Sequence, residues 1–129
     1  MNTIPESHRD IIENAQVVVL GTLGAHDEPQ ITALWFLYED GVLKMSINSN
    51  RQKLKNLQRN PAASAFFLDP ATPYRTLELR GDVSIEPDPD YQLATKVGEK
   101  YQADLREMDA PEDMRSIVTF NVKNVHTFG

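Results

Sequence analysis

The stretch Lys44-Met45-Ser46-Ile47-Asn48-Ser49-Asn50-Arg51-Gln52-Lys53 decides the fold, because a strand pattern ends within it and a helix pattern begins. Side chains alternate along a strand, so one face of this strand carries Ser46, Asn48 and Asn50. The first backbone N–H groups of the following helix have no intrahelical partner, and the helix dipole is positive there. Arg51 and Lys53 flank this helix start. The stretch therefore predicts a phosphate site, although its polar residues are also typical of ordinary strand ends and helix caps.

Alternating and β-branched runs on both sides of this stretch predict a mainly β protein. The six predicted strands span residues 17–23, 30–38, 42–48, 62–68, 76–85 and 116–128. The predicted helices are short and lie near residues 7–15, 51–59 and 91–105. Glu39-Asp40-Gly41 predicts a tight hairpin, and Gly81 predicts a bend or bulge in the fifth strand. Sequential antiparallel strands with short helices favour a six-stranded split β-barrel, formed by a single domain over residues 1–129.

Composition restricts the class of protein. The chain has 129 residues, of which 40% are hydrophobic and 25% are charged, as in an ordinary globular domain. It has no cysteine, which excludes disulfides, thiolate zinc sites and cysteine catalysis. No apolar run is long enough for a membrane span or a signal region, so we expect a cytoplasmic protein.

The charge is unevenly distributed along the chain. The net charge is −6, yet residues 41–68 contain five basic residues and no Asp or Glu. A basic segment in an acidic protein favours a small anionic ligand. It argues against nucleic acid or an anionic membrane as partner, because the remaining surface would repel a polyanion. A solvated helix face would give the same charge pattern.

The common catalytic motifs are absent from the sequence. There is no G-x-S-x-G, H-E-x-x-H, G-x-x-x-x-G-K or G-x-G-x-x-G pattern. His8, His26 and His126 fall in a helix, a turn and the last strand, so we predict no metal site. No residue is assigned as catalytic.

The order of motifs resembles a known superfamily. A strand, hairpin and strand are followed by Ser-x-Asn-x-Asn-Arg-x-Lys at residues 46–53 and by Lys-Asn-Leu-x-Arg-Asn-Pro-x-Ala-Ser at residues 55–64. This order resembles the flavin/deazaflavin oxidoreductases, which share the FMN-binding split barrel of pyridoxamine-phosphate oxidase. It is most similar to their small actinobacterial branch, which uses the deazaflavin F420. The resemblance covers residues 11–128 and is most specific over residues 50–64.

The resemblance implies a homodimer with two cofactor sites at the subunit interface. It implies that Arg51 and Lys53 hold the cofactor phosphate and that Ser46 assists them. The other cofactor-binding residues expected on this basis are Gln30, Thr32, Ala33, Trp35, Asn48, Asn50, Tyr74 and Arg80. Of these, Tyr74 and Arg80 would approach from the partner subunit, and Trp35 would lie near the ring or serve as a core aromatic. The last strand, with Val118 and Phe120 among its apolar residues, is expected to supply dimer surface.

The function implied by the resemblance is an F420-dependent reductase. Such an enzyme transfers a hydride from reduced deazaflavin to a conjugated small-molecule acceptor such as an enone or quinone. Two alternatives remain: an FMN-binding oxidoreductase of the same fold, and a non-enzymatic cofactor or haem carrier. Residues 125–129 lack the Arg- and Trp-containing C-terminal motif of pyridoxamine-phosphate oxidase itself, which argues against oxidation of vitamin B6.

Overall fold

The computed structural model describes residues 3–129, and their secondary structure is mainly β. The strands are β1 (Val18–Leu23), β2 (Pro29–Leu34), β3 (Leu37–Glu39), β4 (Val42–Asn48), β5 (Ala62–Leu68), β6 (Thr76–Pro87) and β7 (Arg115–Phe128). The helices are α1 (Arg9–Asn14), α2 (Gln52–Arg59), α3 (Gln92–Tyr101) and α4 (Leu105–Met108), and a 3-10 turn (Glu6–His8) precedes α1. All strand pairs are antiparallel, in the order β2-β1-β5-β6-β7-β4-β3.

This strand order makes the sheet a split barrel. Strands β2 and β3 lie at opposite edges of the sheet, yet only Trp35 and Phe36 separate them in the chain. Because two residues span only about 7 Å, the sheet has to curl until its two edges come close together. The edges are not joined by a strand pairing, so a gap is left beside the link. The predicted fold class is confirmed.

The strand count differs from the prediction, because the strand predicted over residues 30–38 is broken into β2 and β3. At the break, the Phe36 N–H donates to the Tyr101 hydroxyl at 3.2 Å. The Phe36 carbonyl accepts from Lys100 Nζ at 2.8 Å. Helix α3 thus satisfies both backbone groups of Phe36, which a neighbouring strand would otherwise have to satisfy. The sheet therefore has seven strands, where six were predicted.

Two apolar clusters form the interior. The larger one fills the barrel with inward side chains such as Leu20, Met45 and Phe67. The second joins α3 and α4 to Leu37, and Trp35 packs against it, stacked on Tyr101 with the ring centroids 4.6 Å apart.

The last strand corrects one expectation about the dimer surface. Val118 and Phe120 are only 0% and 4% exposed, and both belong to the barrel core. Ile117, Val122 and Val125 are partly buried and pack against one or other apolar cluster. Val118 and Phe120 therefore contribute nothing to a dimer surface, and the part that the prediction assigns to Ile117, Val122 and Val125 stays a prediction.

Two glycine predictions are confirmed. In the β3–β4 hairpin, Asp40 and Gly41 have φ values of 54° and 75°, which is the left-handed region that suits this turn. In β6, the register shifts between Arg80 and Gly81, as at a β-bulge. A Cβ at Gly81 would collide with the Asn121 carbonyl oxygen of the neighbouring strand.

Within residues 3–129, none of the helices has the length and apolar character that a bilayer crossing requires.

Candidate functional site

A cavity of about 280 Å³ lies at the gap of the split barrel, between β2 and β4. Six of the predicted site residues line it: Ala33, Trp35, Ser46, Asn48, Arg51 and Lys53. The apolar side chains around it come from β2, β4, α3 and α4 and are Leu34, Ile47, Val97, Leu105 and Met108. The fold therefore brings the polar strand face, the start of α2 and an apolar wall to one opening.

The start of α2 forms the cationic end of this cavity. Arg51 is the N-cap residue of α2, and no side chain caps the helix. Neither Arg51 nor Lys53 forms an ion pair with a carboxylate in the part of the chain that the structure describes. Burial, together with the nearby Arg51 charge, lowers the pKa of Lys53. An anion bound beside these two side chains would favour the charged form of Lys53 and so oppose this lowering of its pKa.

A buried ion pair forms the wall of the cavity beside Ser46. Arg115 also lines the cavity and makes a two-pronged contact with Asp109, with Nε to Oδ2 at 2.7 Å and NH2 to Oδ1 at 2.9 Å. Its third nitrogen, NH1, donates to the Ser46 carbonyl and hydroxyl oxygens at 3.2 and 3.3 Å. The side chains of Arg115 and Asp109 are 10% and 4% exposed.

The side chains of Asn48 and Asn50 are hydrogen-bonded within this network. The Asn48 amide donates to both Asp109 and Asp113, at 3.1 and 3.0 Å, and its oxygen accepts from the Asn50 N–H. The Asn50 amide donates to Asp113 at 2.8 Å. These are strand-end and turn contacts that fasten the loop before β7 to the end of β4. Asn50, which is exposed, does not line the cavity.

Sequence reasoning missed Asp109 and Arg115. Residues 46 and 48 are separated from them by more than 60 positions, and no spacing in the sequence links the two segments. The one signal available was the position of Arg115 at the head of the last predicted strand. An arginine at that position is too common to identify a site.

The predicted residues of β2 fall into two environments. Ala33 lines the cavity, whereas Gln30 accepts a 2.6 Å hydrogen bond from the buried Asn56 of α2 and fastens that helix to the strand. The hydroxyl oxygen of Thr32, two residues along on the same face as Gln30, is buried and has no hydrogen-bond partner among residues 3–129. Thr32 pairs in register with the buried Leu20 and does not line the cavity, so the structure does not bring this predicted residue to the site.

Tyr74 and Arg80 are not brought to this cavity. Tyr74 is 70% exposed in the loop before β6. Arg80 points outward from β6, and its guanidinium is paired with Glu78 at 3.0 Å. Within one chain, the structure therefore leaves these two residues away from the other predicted site residues.

The residues around the cavity fit a ring-bearing phosphate compound of the flavin or deazaflavin type. Arg51, Lys53 and the uncapped helix start suit the phosphate, and Trp35 with its apolar neighbours suits a flat ring. The volume of about 280 Å³ is just below the range of roughly 300–1,000 Å³ that is typical of ligand pockets. No group of three His, Asp or Glu side chains able to hold a metal ion occurs among residues 3–129.

Larger hollows of about 550 and 710 Å³ lack this combination of features. The first lies between α3 and α4, where the Arg106 guanidinium is stacked on the Tyr91 ring at 4.1 Å. The second is lined by Arg9 and Glu13, and Arg9 is paired with Glu6. In both hollows the arginine is already engaged, so neither presents the unpaired cations found at the gap.

Comparisons of the sequence and of the structure with known proteins agree on one family. The sequence profile described as "Pyridoxamine 5'-phosphate oxidase" matches residues 4–129. An F420 reductase from Mycobacterium smegmatis is 32% identical, with a TM-score of 0.85, and the match covers 95% of this chain and 98% of that one. No curated protein matches the chain.

More distant structures share the fold. A conserved hypothetical protein from Mycobacterium tuberculosis is 21% identical, with a TM-score of 0.79 and coverage of 98% and 86% of the two chains. The haem storage protein HutZ from Vibrio cholerae is 17% identical, with a TM-score of 0.75 and coverage of 100% and 96%. At these identities the likeness concerns the fold alone.

The buried ion pair leads to a prediction about acid stability. Chiefly the Arg115 hydrogen bonds hold the pKa of Asp109 at about 2, against a usual value of 3.8. A carboxyl whose pKa is lowered in the folded state stabilises the protein above its unfolded pKa, and this contribution is lost as the pH falls. The stability advantage of the wild type over Asp109→Asn is therefore expected to shrink by about 2 kcal/mol between about pH 5 and pH 2.

Urea unfolding at a series of pH values measures this difference. Asp90→Asn is the matched control, because it removes one carboxylate from an exposed position. Its stability difference from the wild type should stay nearly constant over the same range. A pH-independent difference for Asp109→Asn would contradict the role given to the ion pair.

Proposed function

Because the chain belongs to the pyridoxamine 5'-phosphate oxidase family, we propose that it is an oxidoreductase that uses F420 to reduce a conjugated small-molecule acceptor. The observation that carries the proposal is the pair of cations, Arg51 and Lys53, which line the gap cavity without a carboxylate partner among residues 3–129. Such a pair at a helix start is suited to a phosphate group. The 32% identity to an F420 reductase supports F420 as the compound that bears this phosphate.

The residues of this chain bind and orient, and the bound compound supplies the redox chemistry. When bound, reduced F420 provides the hydride that the acceptor receives. Arg51 and Lys53 hold the phosphate. Trp35 and Met108 place apolar surface around the opening and keep water away from the ring.

The alternative of a haem carrier has less support. The haem-binding likenesses are 17–20% identical and concern the fold alone. Haem iron is commonly held by histidine. His8 is hydrogen-bonded to the Ser7 hydroxyl and to the Gly129 carbonyl, and neither His26 nor His126 lines the cavity.

An FMN-binding oxidoreductase would use the same phosphate contacts as an F420-dependent one. The first test below distinguishes the two.

We further propose that the protein is a homodimer in which the partner completes the cofactor site. Ile31 and Ala33 of β2 pair in register with Gly21 and Val19 of β1, so all four lie on the outer face of the sheet. Val19 in turn pairs with Phe66 of β5 on that face. Ile31 is 68% exposed, which is costly for an isoleucine on an apolar face.

This outer face is continuous with the cavity, because Ala33 belongs to both. Arg80 lies on the same face, since it pairs with Ser64, which pairs with Gly21. A second chain that covered the face would add walls to a cavity that is small for a ring-bearing ligand in one chain. It would also bring the partner's Arg80 within reach of the cavity. The approach of the partner's Tyr74 is proposed only on the family resemblance.

The first test identifies the cofactor. Protein purified from a host that makes no F420 is expected to be colourless and then to bind added F420, measured by fluorescence titration. Reduced F420 should then be consumed when an activated enone is added, which excludes a pure carrier role. Recovery of yellow protein with one FMN per chain, without F420 binding, would replace the proposal with the FMN alternative.

The second test concerns the phosphate contacts. Arg51→Ala and Lys53→Ala should each weaken F420 binding about ten- to a hundredfold, because each removes a charge-assisted contact of roughly 1.5–3 kcal/mol. Lys55→Ala is the control: it removes the same charge from an exposed position on α2 that does not line the cavity. Arg59 is less suitable as a control, because its guanidinium bonds the Leu23 carbonyl. Equal losses for all three variants would indicate diffuse electrostatics and exclude a direct contact.

The third test concerns the dimer. Ile31→Glu places a charge on the outer face and is expected to shift the protein to a monomer in sedimentation velocity, with weaker F420 binding. Val42→Glu, at a half-exposed apolar position of the β3–β4 hairpin, is the control and should leave the dimer intact. A wild-type protein that is monomeric and still binds F420 would show that one chain suffices for the site.

A further inference from the structure

We propose that Asp109 and Arg115 are positioning residues, which fix the Ser46 hydroxyl as a hydrogen-bond donor to the phosphate group bound at the gap. The inference rests on the proposed function, because it assumes that a phosphate-bearing cofactor binds between β2 and β4. In this proposal Asp109 and Arg115 do not contact the phosphate themselves. Ser46 contacts it, and its hydroxyl donates the hydrogen bond.

The geometry of Arg115 leaves it no freedom to move toward a ligand. It pairs in register with Asn48 at the end of β4, and its side chain is 10% exposed. Two of its nitrogens contact Asp109, and the third contacts both oxygens of Ser46. Arg115 is thus anchored at three points and reaches Ser46 across the strand pair.

Asp109 holds this arrangement together. Besides the two contacts with Arg115, it accepts hydrogen bonds from the Tyr91 hydroxyl at 2.7 Å and from the Asn48 amide at 3.1 Å. Its carboxylate is therefore fully bonded, and its charge offsets that of Arg115. This distinguishes Arg115 from Arg51 and Lys53, which line the same cavity without a carboxylate partner in the described part of the chain.

The contact with Arg115 determines how the Ser46 hydroxyl can use its hydrogen. A hydroxyl has one hydrogen to donate and lone pairs with which to accept. Since the Ser46 oxygen accepts from Arg115, its own hydrogen is directed elsewhere, and no protein acceptor for it is found among residues 3–129. Ser46 lines the cavity together with Arg51 and Lys53, so its hydrogen is available to an anion there. Acceptance from a guanidinium also polarises the hydroxyl and makes it a better donor.

A double-mutant cycle tests the link between Arg115 and Ser46. Ser46→Ala and Arg115→Lys should each weaken F420 binding about tenfold, because lysine keeps the charge but lacks the planar fork whose separate nitrogens contact Asp109 and Ser46. If Arg115 acts through Ser46, the double variant binds F420 about as well as either single variant. Losses that multiply to about a hundredfold would overturn the proposal.

Two controls accompany the cycle. Arg59→Lys changes an arginine that also bonds a backbone carbonyl, outside the cavity, and should leave F420 affinity unchanged. The deazaflavin fragment of F420 without its phosphate should bind equally well to the wild type and to both single variants. Equal losses with that fragment would show that the variants disturb the whole site, and the proposal would fail.

Asp109→Asn gives a test that depends on the sign of the effect. Removing a negative charge beside an anion site should tighten binding if only electrostatics operates. Positioning predicts the opposite: about a three- to tenfold weakening of F420 binding, which disappears when Ser46→Ala is also present. Tighter binding would overturn the proposal.

A milder variant covers the case in which neither charged variant folds by circular dichroism. Tyr91→Phe keeps both charges and removes only the phenolic hydrogen bond to Asp109. It is expected to weaken F420 binding about two- to threefold, and only when Ser46 is present. A loss of the same size in the Ser46→Ala variant would overturn the proposal.

Failure of the proposed function has a different signature. In that case the wild type itself binds no F420, before any variant is compared. If the wild type binds F420 and the variants behave additively, the function stands and only the positioning role is lost.

Discussion

The structure depends on a two-residue link, Trp35 and Phe36, between strands that lie at opposite edges of one sheet. The link forces the sheet to curl, and it also prevents closure, because the Phe36 backbone is bonded to Lys100 and Tyr101 of α3 and not to a strand. The Lys100 ammonium lies 3.9 Å from the centre of the Phe36 ring and reinforces the same junction. The opening beside this link is the cavity that holds the candidate site.

Most of the fold could be predicted from local sequence patterns, but the break between β2 and β3 could not. The strand over residues 62–68 and the hairpin at Asp40-Gly41 follow from alternation and turn chemistry, which act over a few residues. Residues 30–38 keep a strand-like composition throughout, with β-forming aromatics at the break itself. What interrupts the strand is helix α3, about 65 residues later in the chain, which supplies partners for a backbone that would otherwise extend. Tertiary contacts of this kind leave no mark on local sequence.

The candidate site, too, could be predicted only in part from the sequence. The spacing of residues 46–53 correctly indicated a polar strand face beside a helix start, and the structure brings Ser46, Arg51 and Lys53 to one cavity. The spacing could not show that the Asn48 amide is already used by Asp109 and Asp113. Nor could it show that Arg80 points away from the cavity in a single chain. Whether Arg80 takes part depends on a second chain, which one sequence read alone does not specify.

The ion pairs separate the cations that support the fold from those that face the cavity. The arginines that serve the fold are paired: Arg75 with Asp10 and Asp69, and Arg115 with Asp109. Arg51 and Lys53 sit side by side in an acid-free segment, and their mutual repulsion is a cost that folding alone does not recover. Ligand binding offsets such a cost, since an anion that binds only the folded state stabilises that state. A protein with net charge −6 that keeps two adjacent cations at its one barrel gap is therefore better suited to bind an anion there than to leave the gap to water.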